Sequence, residues 1–291
     1  MTLAKVSIML KKTRPDGTYL DDLPHFTRLL PYLMPNRTDA SIFMEQEVDV
    51  TRTRQYVEEA NRARETGAGR ITFFQVCLCA AVRTLALRPK LNRFVSGYNY
   101  YQRHEVICTF VAKRELSDDG GEINVTLPFR GDETLSGLAA KVSRYIQGAK
   151  AGHSNASDRL NALLVKLPRW VIRLVIWWLR CLDFHNLLPG SFLRSMPFWS
   201  SMFFTNVGSV GVDAPLHHHF NLGTCGLFIA LGKHRREAVL TDDGRTAYRD
   251  KMKVTFTHDD RVVDGLYAGR ALELFRSLIE NPESLEHPPA M

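Results

Sequence analysis

The stretch Phe256-Thr-His-Asp-Asp-Arg-Val-Val-Asp-Gly265 decides how this chain reads. Residues 253–257, ahead of its polar part, are rich in β-branched and aromatic side chains and read as a strand. Residues 266–279 behind it read as a helix, stopped by Asn281-Pro282, because proline disfavours helical backbone in the residue before it. Between strand and helix stand His258, Asp260 and Asp264. His258 and Asp260 are two apart, which on an extended strand sets both side chains on one face.

Working outward, residues 40–50 read as a strand. Asp49 or Thr51 caps a helix to about Thr66, ended by Gly67 and Gly69. A second helix, from about Thr72, is rich in Ala, Cys and Leu and reads as buried; it stops before Pro89. Strands are expected at 98–101, 106–113 and 122–127, with a turn at Asp118-Asp-Gly-Gly121. Leu135, Leu138, Val142 and Ile146 give 134–146 a helical stripe. Further strands are expected at 203–205, 226–231 and 238–240. Residues 1–35 read as irregular, with Pro15-Asp16-Gly17 as a turn and Pro24, Pro31 and Pro35 as breakers. No repeat or linker divides the 291 residues, so one α/β domain is expected.

With 45% hydrophobic and 24% charged residues, the composition is that of a globular protein with ample core material. The formal charge of +7 favours anionic partners, yet no run of like charge is present, so nucleic acid is not expected. Cys77, Cys79, Cys108, Cys181 and Cys225 are an odd set in apolar surroundings without paired spacing. They imply a reducing, cytoplasmic setting with no disulfide framework and no zinc site. The N-terminus has one short apolar patch and no small-residue cleavage site, so a signal peptide is not expected.

The opening stretch resembles the H-x-x-x-D-G motif of the chloramphenicol acetyltransferase and dihydrolipoyl acyltransferase superfamily. Asp264 and Gly265 fill its Asp-Gly positions, and Asp260 stands where the histidine would be. Other segments extend the resemblance over about 26–286. Met202-Phe-Phe-Thr-Asn-Val-Gly-Ser-Val-Gly-Val-Asp213 is similar to the family's T-x-S-N-x-G-x-x-G turn, and Leu227-Phe-Ile-Ala-Leu-Gly232 to its A-I-L-G-V-G strand. Glu47-Val-Asp-Val-Thr51 resembles its E-x-D-V-T strand end, and Pro89-Lys-Leu-Asn92 its buried P-x-x-N turn. Val262-Val-Asp-Gly265 with Asn281-Pro282 resembles the ending of the dihydrolipoyl branch. The resemblance implies a mixed β-sheet flanked by helices, and a homotrimer whose sites lie between subunits.

It also implies acyl transfer from a thioester. A base removes the acceptor's proton, worth roughly 10²–10⁴ in rate. A hydroxyl donates to the tetrahedral oxyanion, worth roughly 10²–10³. Thr205 occupies the position of the family's serine and Asn206 that of the adjacent asparagine. Two bases are open. Asp260 would act directly, but a carboxylate ionises near pH 3.9 and is a weak base unless burial raises it. His258 would act from the same face, though two strand residues displace a side chain by about 7 Å. The alternative is a relative without catalysis that binds CoA, a lipid or a protein. Asp264 is implied to be architectural, pairing with an arginine such as Arg28 or Arg37, and Gly265 to serve a turn where a Cβ would collide. His217-His-His219 reads as a surface loop near the family's channel rather than a metal site, with a supplied base or a trimer-axis contact as alternatives.

The domain is expected to run from 26 to 291, behind an irregular 1–25 segment, with an insertion at about 150–200. The insertion carries Leu163-Leu-Val-Lys-Leu-Pro-Arg-Trp-Val-Ile-Arg-Leu-Val-Ile-Trp-Trp-Leu-Arg-Cys-Leu182. Lys166, Arg169, Arg173 and Arg180 are spaced to share one helical face, with Trp170, Trp177 and Trp178 among the apolar positions. Four basic residues argue against a membrane span and for a helix lying on an anionic membrane surface; packing on the fold or a neighbouring subunit, or roofing a site for a long acyl chain, are the other uses. No D-K-A lipoylation turn precedes the resemblance, so no covalently bound lipoyl group is expected. Acyl-CoA is the expected donor, its phosphates suiting the positive charge, and no metal is expected.

Overall fold

A computed structural model describes residues 13–62, 69–113, 122–150, 160, 163–241 and 243–289. Six strands form the main sheet: β2 (Ser41–Asp49), β5 (Val106–Lys113), β6 (Glu122–Phe129), β7 (Met202–Asn206), β8 (Leu227–Leu240) and β9 (Thr246–Asp259). Their order is β2-β9-β8-β7-β5-β6, with β7 parallel to both its neighbours and the other pairs antiparallel. A small antiparallel sheet, β1-β4-β3, is built from Gly17–Tyr19, Asn99–Arg103 and Arg93–Ser96.

The helices in chain order are α1 (His25–Leu33), α2 (Thr51–Arg62), α3 (Phe73–Leu87), α4 (Leu135–Lys150), α5 (Arg169–Phe184), α6 (Gly190–Ser195) and α7 (Gly265–Glu280). α3 is apolar all round, the pattern of a helix without a solvent face, and every side chain from Gln75 to Leu85 is buried. A reciprocal cap starts it: Gln75 N–H donates to Thr72 Oγ1, and Thr72 N–H donates to Gln75 Oε1.

Strand alternation gives the sheet two unlike faces. Phe110, Phe204, Ile229 and Phe256 lie in neighbouring register and join α3, α4 and α7 in the main core. Phe74 of α3 meets Phe110 and Phe204 edge-on at 5.3 and 5.5 Å, and Phe256 meets Phe275 of α7 at 5.3 Å. The opposite face carries Phe203, Phe228 and Thr257 in one row and Thr205, Ala230 and Thr255 in the next. The segment 211–225 lies across this second face. His217 stacks on Phe228 with ring centres 3.8 Å apart, and Thr255 donates to Pro215 O at 2.6 Å.

Four expectations change. The first 35 residues are not irregular where described, since they hold β1 and α1. Pro31 sits inside α1, and the Thr27 carbonyl it leaves without a helical donor accepts from Tyr100 Oη at 2.7 Å. The strand expected at 98–101 is one arm of a hairpin with β3, whose turn places Gly97 and Tyr98 at φ 56° and 63°, the tight form matching strand twist. The separate strands at 226–231 and 238–240 are one long β8, continuous through an irregularity between Leu231 and His234. The helix expected over 163–182 begins only at Arg169, after Pro168, so Lys166 lies in a turn outside the basic face. The turn at 118–121, the end of the helix near Thr66 and the N-terminal patch fall outside the described residues.

Candidate active site

The end of β9 sorts three neighbouring side chains into three environments. His258, paired with Leu227 in register, points to the helix face. It is 3% exposed and borders a void of about 20 Å³ among Phe256, Ala268 and Phe275, too small for a substrate. Burial pushes its imidazole below the ordinary range, although Asp260 and Asp259 pull the other way. Asp259 belongs to the opposite face, which also carries Thr205. Asp260 is past the strand, in a turn held by its N–H donating to Ala40 O at 2.8 Å. His258 and Asp260 therefore do not stand side by side on one strand face, because the strand ends between them, although the Asp260 charge still acts on His258.

Asp259 is the carboxylate that organises this corner. Arg261 donates to it twice, Nε to Oδ1 at 2.8 Å and Nη2 to Oδ2 at 2.6 Å, and Arg37 Nε lies 3.8 Å from Oδ2. Burial alone would raise the Asp259 carboxyl, but the hydrogen bonds and charge of Arg261, with Arg37, hold it below the usual range. The same guanidinium groups fasten flanking chain, Arg261 to Met34 O at 3.0 Å and Arg37 to Phe220 O at 2.9 Å. The arginine partner expected for Asp264 thus belongs to Asp259. Asp264 caps α7 instead, accepting from Tyr267 N at 2.8 Å. Gly265 does not serve a crowded turn either, since a Cβ there meets nothing within 4 Å.

Thr205 and Asn206 close β7, in rows shared with Ala230 and Leu231 of β8. Both are half-buried, and neither side chain makes a hydrogen bond within the described chain. The turn that follows is held by close backbone contact: a Cβ on Gly208 would fall 2.2 Å from Gly232 O. That contact is the physical content of the Asn-Val-Gly signature. Thr205 stands opposite Ala230, and Ala230 opposite Thr255, five residues before Asp260. At about 3.3 Å per strand residue, Thr205 and Asp260 are on the order of 16 Å apart along the strands, beyond the reach of one reacting group.

The three histidines form a loop, as expected, but not a surface cluster. His219 is 2% exposed, with Nδ1 2.9 Å from Ser41 Oγ. Burial pushes it down to about 4; Asp259 opposes that, while Arg37 and His258 add to it. Sequence reading missed Asp259, Arg261 and Ser41, and assigned Arg37 as a partner of Asp264 rather than of Asp259. Only Asp259 carried a usable signal, its alternation with Thr257 and Thr255. Among the described residues no group of three or more His, Cys, Asp or Glu is placed to hold a metal ion.

α5 rests on the fold through its C-terminal half. Leu179 and Leu182 pack on a small core of Leu188, Leu193, Met196 and Trp199, and Asp183 accepts from Trp199 Nε1 at 2.9 Å and Arg14 Nη2 at 2.8 Å. Trp170, Leu174, Trp177 and Trp178 are exposed. Arg169, Arg173 and Arg180 form one edge of that same exposed side. No described helix is long and apolar enough to cross a membrane.

Residues 200–286 match the model of the 2-oxoacid dehydrogenases acyltransferase (catalytic domain) family. Over 81 residues the chain is 35% identical to the dihydrolipoyllysine-residue acetyltransferase component 5 of the Arabidopsis thaliana chloroplastic pyruvate dehydrogenase complex, a match covering 28% of this chain and 17% of that protein. A dihydrolipoamide acetyltransferase of Azotobacter vinelandii superposes with a TM-score of 0.62 at 15% identity, covering 92% of this chain and 94% of that one. In that protein the roles of a serine, a histidine and an asparagine in the catalytic mechanism have been investigated. A probable dihydrolipoamide acetyltransferase of Listeria monocytogenes gives 0.60 at 15% identity, over 90% and 95% of the two chains. Chloramphenicol acetyltransferase gives 0.53 at 13% identity, over 91% and 98%. The chain thus has the chloramphenicol acetyltransferase-like fold, and its residues 200–286 match the 2-oxoacid dehydrogenases acyltransferase catalytic-domain model.

Proposed function

We propose that the protein is an acyltransferase that moves an acyl group from a CoA thioester to an acceptor, with Asp260 as general base and Thr205 as oxyanion donor. The observation that carries this reading is which side chains are left uncommitted. Of the aspartates in the motif, Asp259 is bound to two arginines and Asp264 caps a helix, while the Asp260 carboxylate accepts no hydrogen bond and forms no ion pair among the described residues. Thr205 likewise keeps its hydroxyl free. In the proposed reaction the acceptor's proton passes to the Asp260 carboxylate as its lone pair attacks the thioester carbon. Thr205 Oγ–H donates to the oxygen that gains charge. Collapse expels the CoA thiolate, which takes the proton back from Asp260. The separation of the two residues along the sheet supports a site shared between neighbouring chains of a homotrimer.

The test is release of free thiol from acyl-CoAs of several chain lengths, with small thiol and alcohol acceptors, followed with a chromogenic reagent. Asp260→Asn is expected to lower turnover by roughly 10²–10⁴. His258→Ala is expected to lower stability and leave turnover per folded molecule near that of the parent. If CoA binds but no acyl-CoA is ever cleaved, the protein is a CoA-binding module without catalysis.

The exposed side of α5 supports a second property. We propose that it rests on an anionic membrane surface, arginines on headgroups and tryptophans at the interface.

A further inference from the structure

We propose that the cleft between the end of α5 and the Asp259–Arg261 turn binds an anionic group, a carboxylate or a phosphate ester. The cleft measures about 240 Å³ and is lined by Asn36, Arg37, Ser96, Arg180, Asn221 and Arg261 among others. Charge counting separates it from an ordinary polar hollow. Arg37 and Arg261 share the single carboxylate of Asp259, and Arg180 has no ion pair or hydrogen bond among the described residues. Asp183 also borders the cleft, but it is bonded to Arg14. Arg14 and Arg103 also hold Asp16, so those two cations and two carboxylates cancel. Asp39, whose carboxylate accepts from the lining residue Asn36 at 2.9 Å, also acts on Arg261, so three arginines against Asp259 and Asp39 leave one positive charge.

Two of those guanidinium groups, on Arg37 and Arg261, are almost wholly withdrawn from water. An excess of buried cation is costly until an anion completes it, and guanidinium forks suit carboxylate and phosphate oxygens. The walls are fixed by backbone. A Cβ on Gly97 would fall 2.4 Å from Phe184 O, so the β3–β4 hairpin is seated directly on the end of α5. Below the roughly 300 Å³ of a typical ligand pocket, the cleft suits a head group rather than a whole CoA.

The cleft also adjoins the proposed reaction, because Arg261 directly follows Asp260. On the acyltransferase reading, on which this one step rests, the bound anion belongs to the acceptor. Arg180 comes from the inserted segment, so the insertion would set acceptor choice.

Calorimetry on the full chain at low ionic strength tests this without requiring turnover, using inorganic phosphate, glycerol 3-phosphate and succinate as separate probes. Saturable binding of one site per chain is expected for the phosphate probes or for succinate, and whichever binds identifies the chemistry. Arg180→Ala, an exposed change that leaves the buried ion pair intact, is expected to weaken binding at least about tenfold, whereas Arg194→Ala on α6 leaves it unchanged. Failure of all three probes to bind below about 10 mM would overturn the site, as would equal affinity in Arg180→Ala. Either failure leaves thiol release from acyl-CoA untouched, so the two readings fall separately.

Discussion

Asp259 and His219 show what a buried polar corner demands of single residues. His219 is neutral in the fold because burial holds it at about 4, whereas an unfolded histidine ionises near 6.5. Below the unfolded value the unfolded chain binds a proton that the folded chain refuses, so stability falls as pH drops from 6.5 toward 4. At about 1.36 kcal/mol per pH unit the full loss is roughly 3 kcal/mol, with about 2 kcal/mol of it gone by pH 5. His219→Gln keeps a partner for Ser41 and removes the titration. Urea unfolding at pH 7 and pH 5 is expected to show a smaller difference in the variant; an equal difference in both would remove His219 from the acid response. Asp259 acts in the same direction at lower pH, since its depressed carboxyl contributes stability that is lost as pH falls through its folded value. These roles were only half legible in the sequence. Alternation with Thr257 and Thr255 would have set Asp259 apart from His258, but the expectation rested on Asp260 and His258. The partners Arg37, Ser41 and His219 are distant in sequence, and no periodicity brings them together.

At the scale of elements, the sequence was readable where apolar composition and breakers agreed, as in α3, which stops before Pro89, and α7, which stops at Asn281-Pro282. It misled where a breaker was compensated from elsewhere, as at Pro31, whose orphaned carbonyl is met by Tyr100. It misled again where a breaker inside an apolar run truly acted, as at Pro168. The shorter α5 still presents Arg169, Arg173 and Arg180 beside Trp170, Leu174, Trp177 and Trp178 on its exposed side. Each arginine near an anionic bilayer adds about 1 kcal/mol, and buried Trp and Leu surface adds roughly 25 cal/mol per Å². Co-sedimentation is therefore expected with vesicles containing anionic lipid, and not with neutral ones, and is expected to fade as salt rises. Changing Arg169 and Arg173 to Glu is expected to weaken vesicle binding about thirtyfold or more, while leaving Arg180 to the anion cleft. A wild-type protein that stays in the supernatant with anionic vesicles at low salt would end the membrane reading.

The whole molecule poses the question its single chain leaves open, because Asp260 follows the end of β9 while Thr205 lies near the end of β7, level with Thr255. On the order of 16 Å separates them along the strands, and no side-chain rotation bridges that distance. If each site takes Asp260 from one chain and Thr205 from the next, two disabled variants hold complementary halves. A trimer with head-to-tail interfaces has three such sites. With Asp260→Asn and Thr205→Ala subunits mixed at random in equal amounts, about one interface in four joins an intact Asp260 to an intact Thr205. Each variant alone is expected to be nearly inactive, since the base and the oxyanion donor are each worth roughly two orders of magnitude or more. Co-refolding the two is expected to restore about a quarter of wild-type thiol release. Mixed trimers that regain nothing would place both residues within one chain's site or outside it altogether. Light scattering that finds only monomer at micromolar concentration would remove the shared site before any activity is measured.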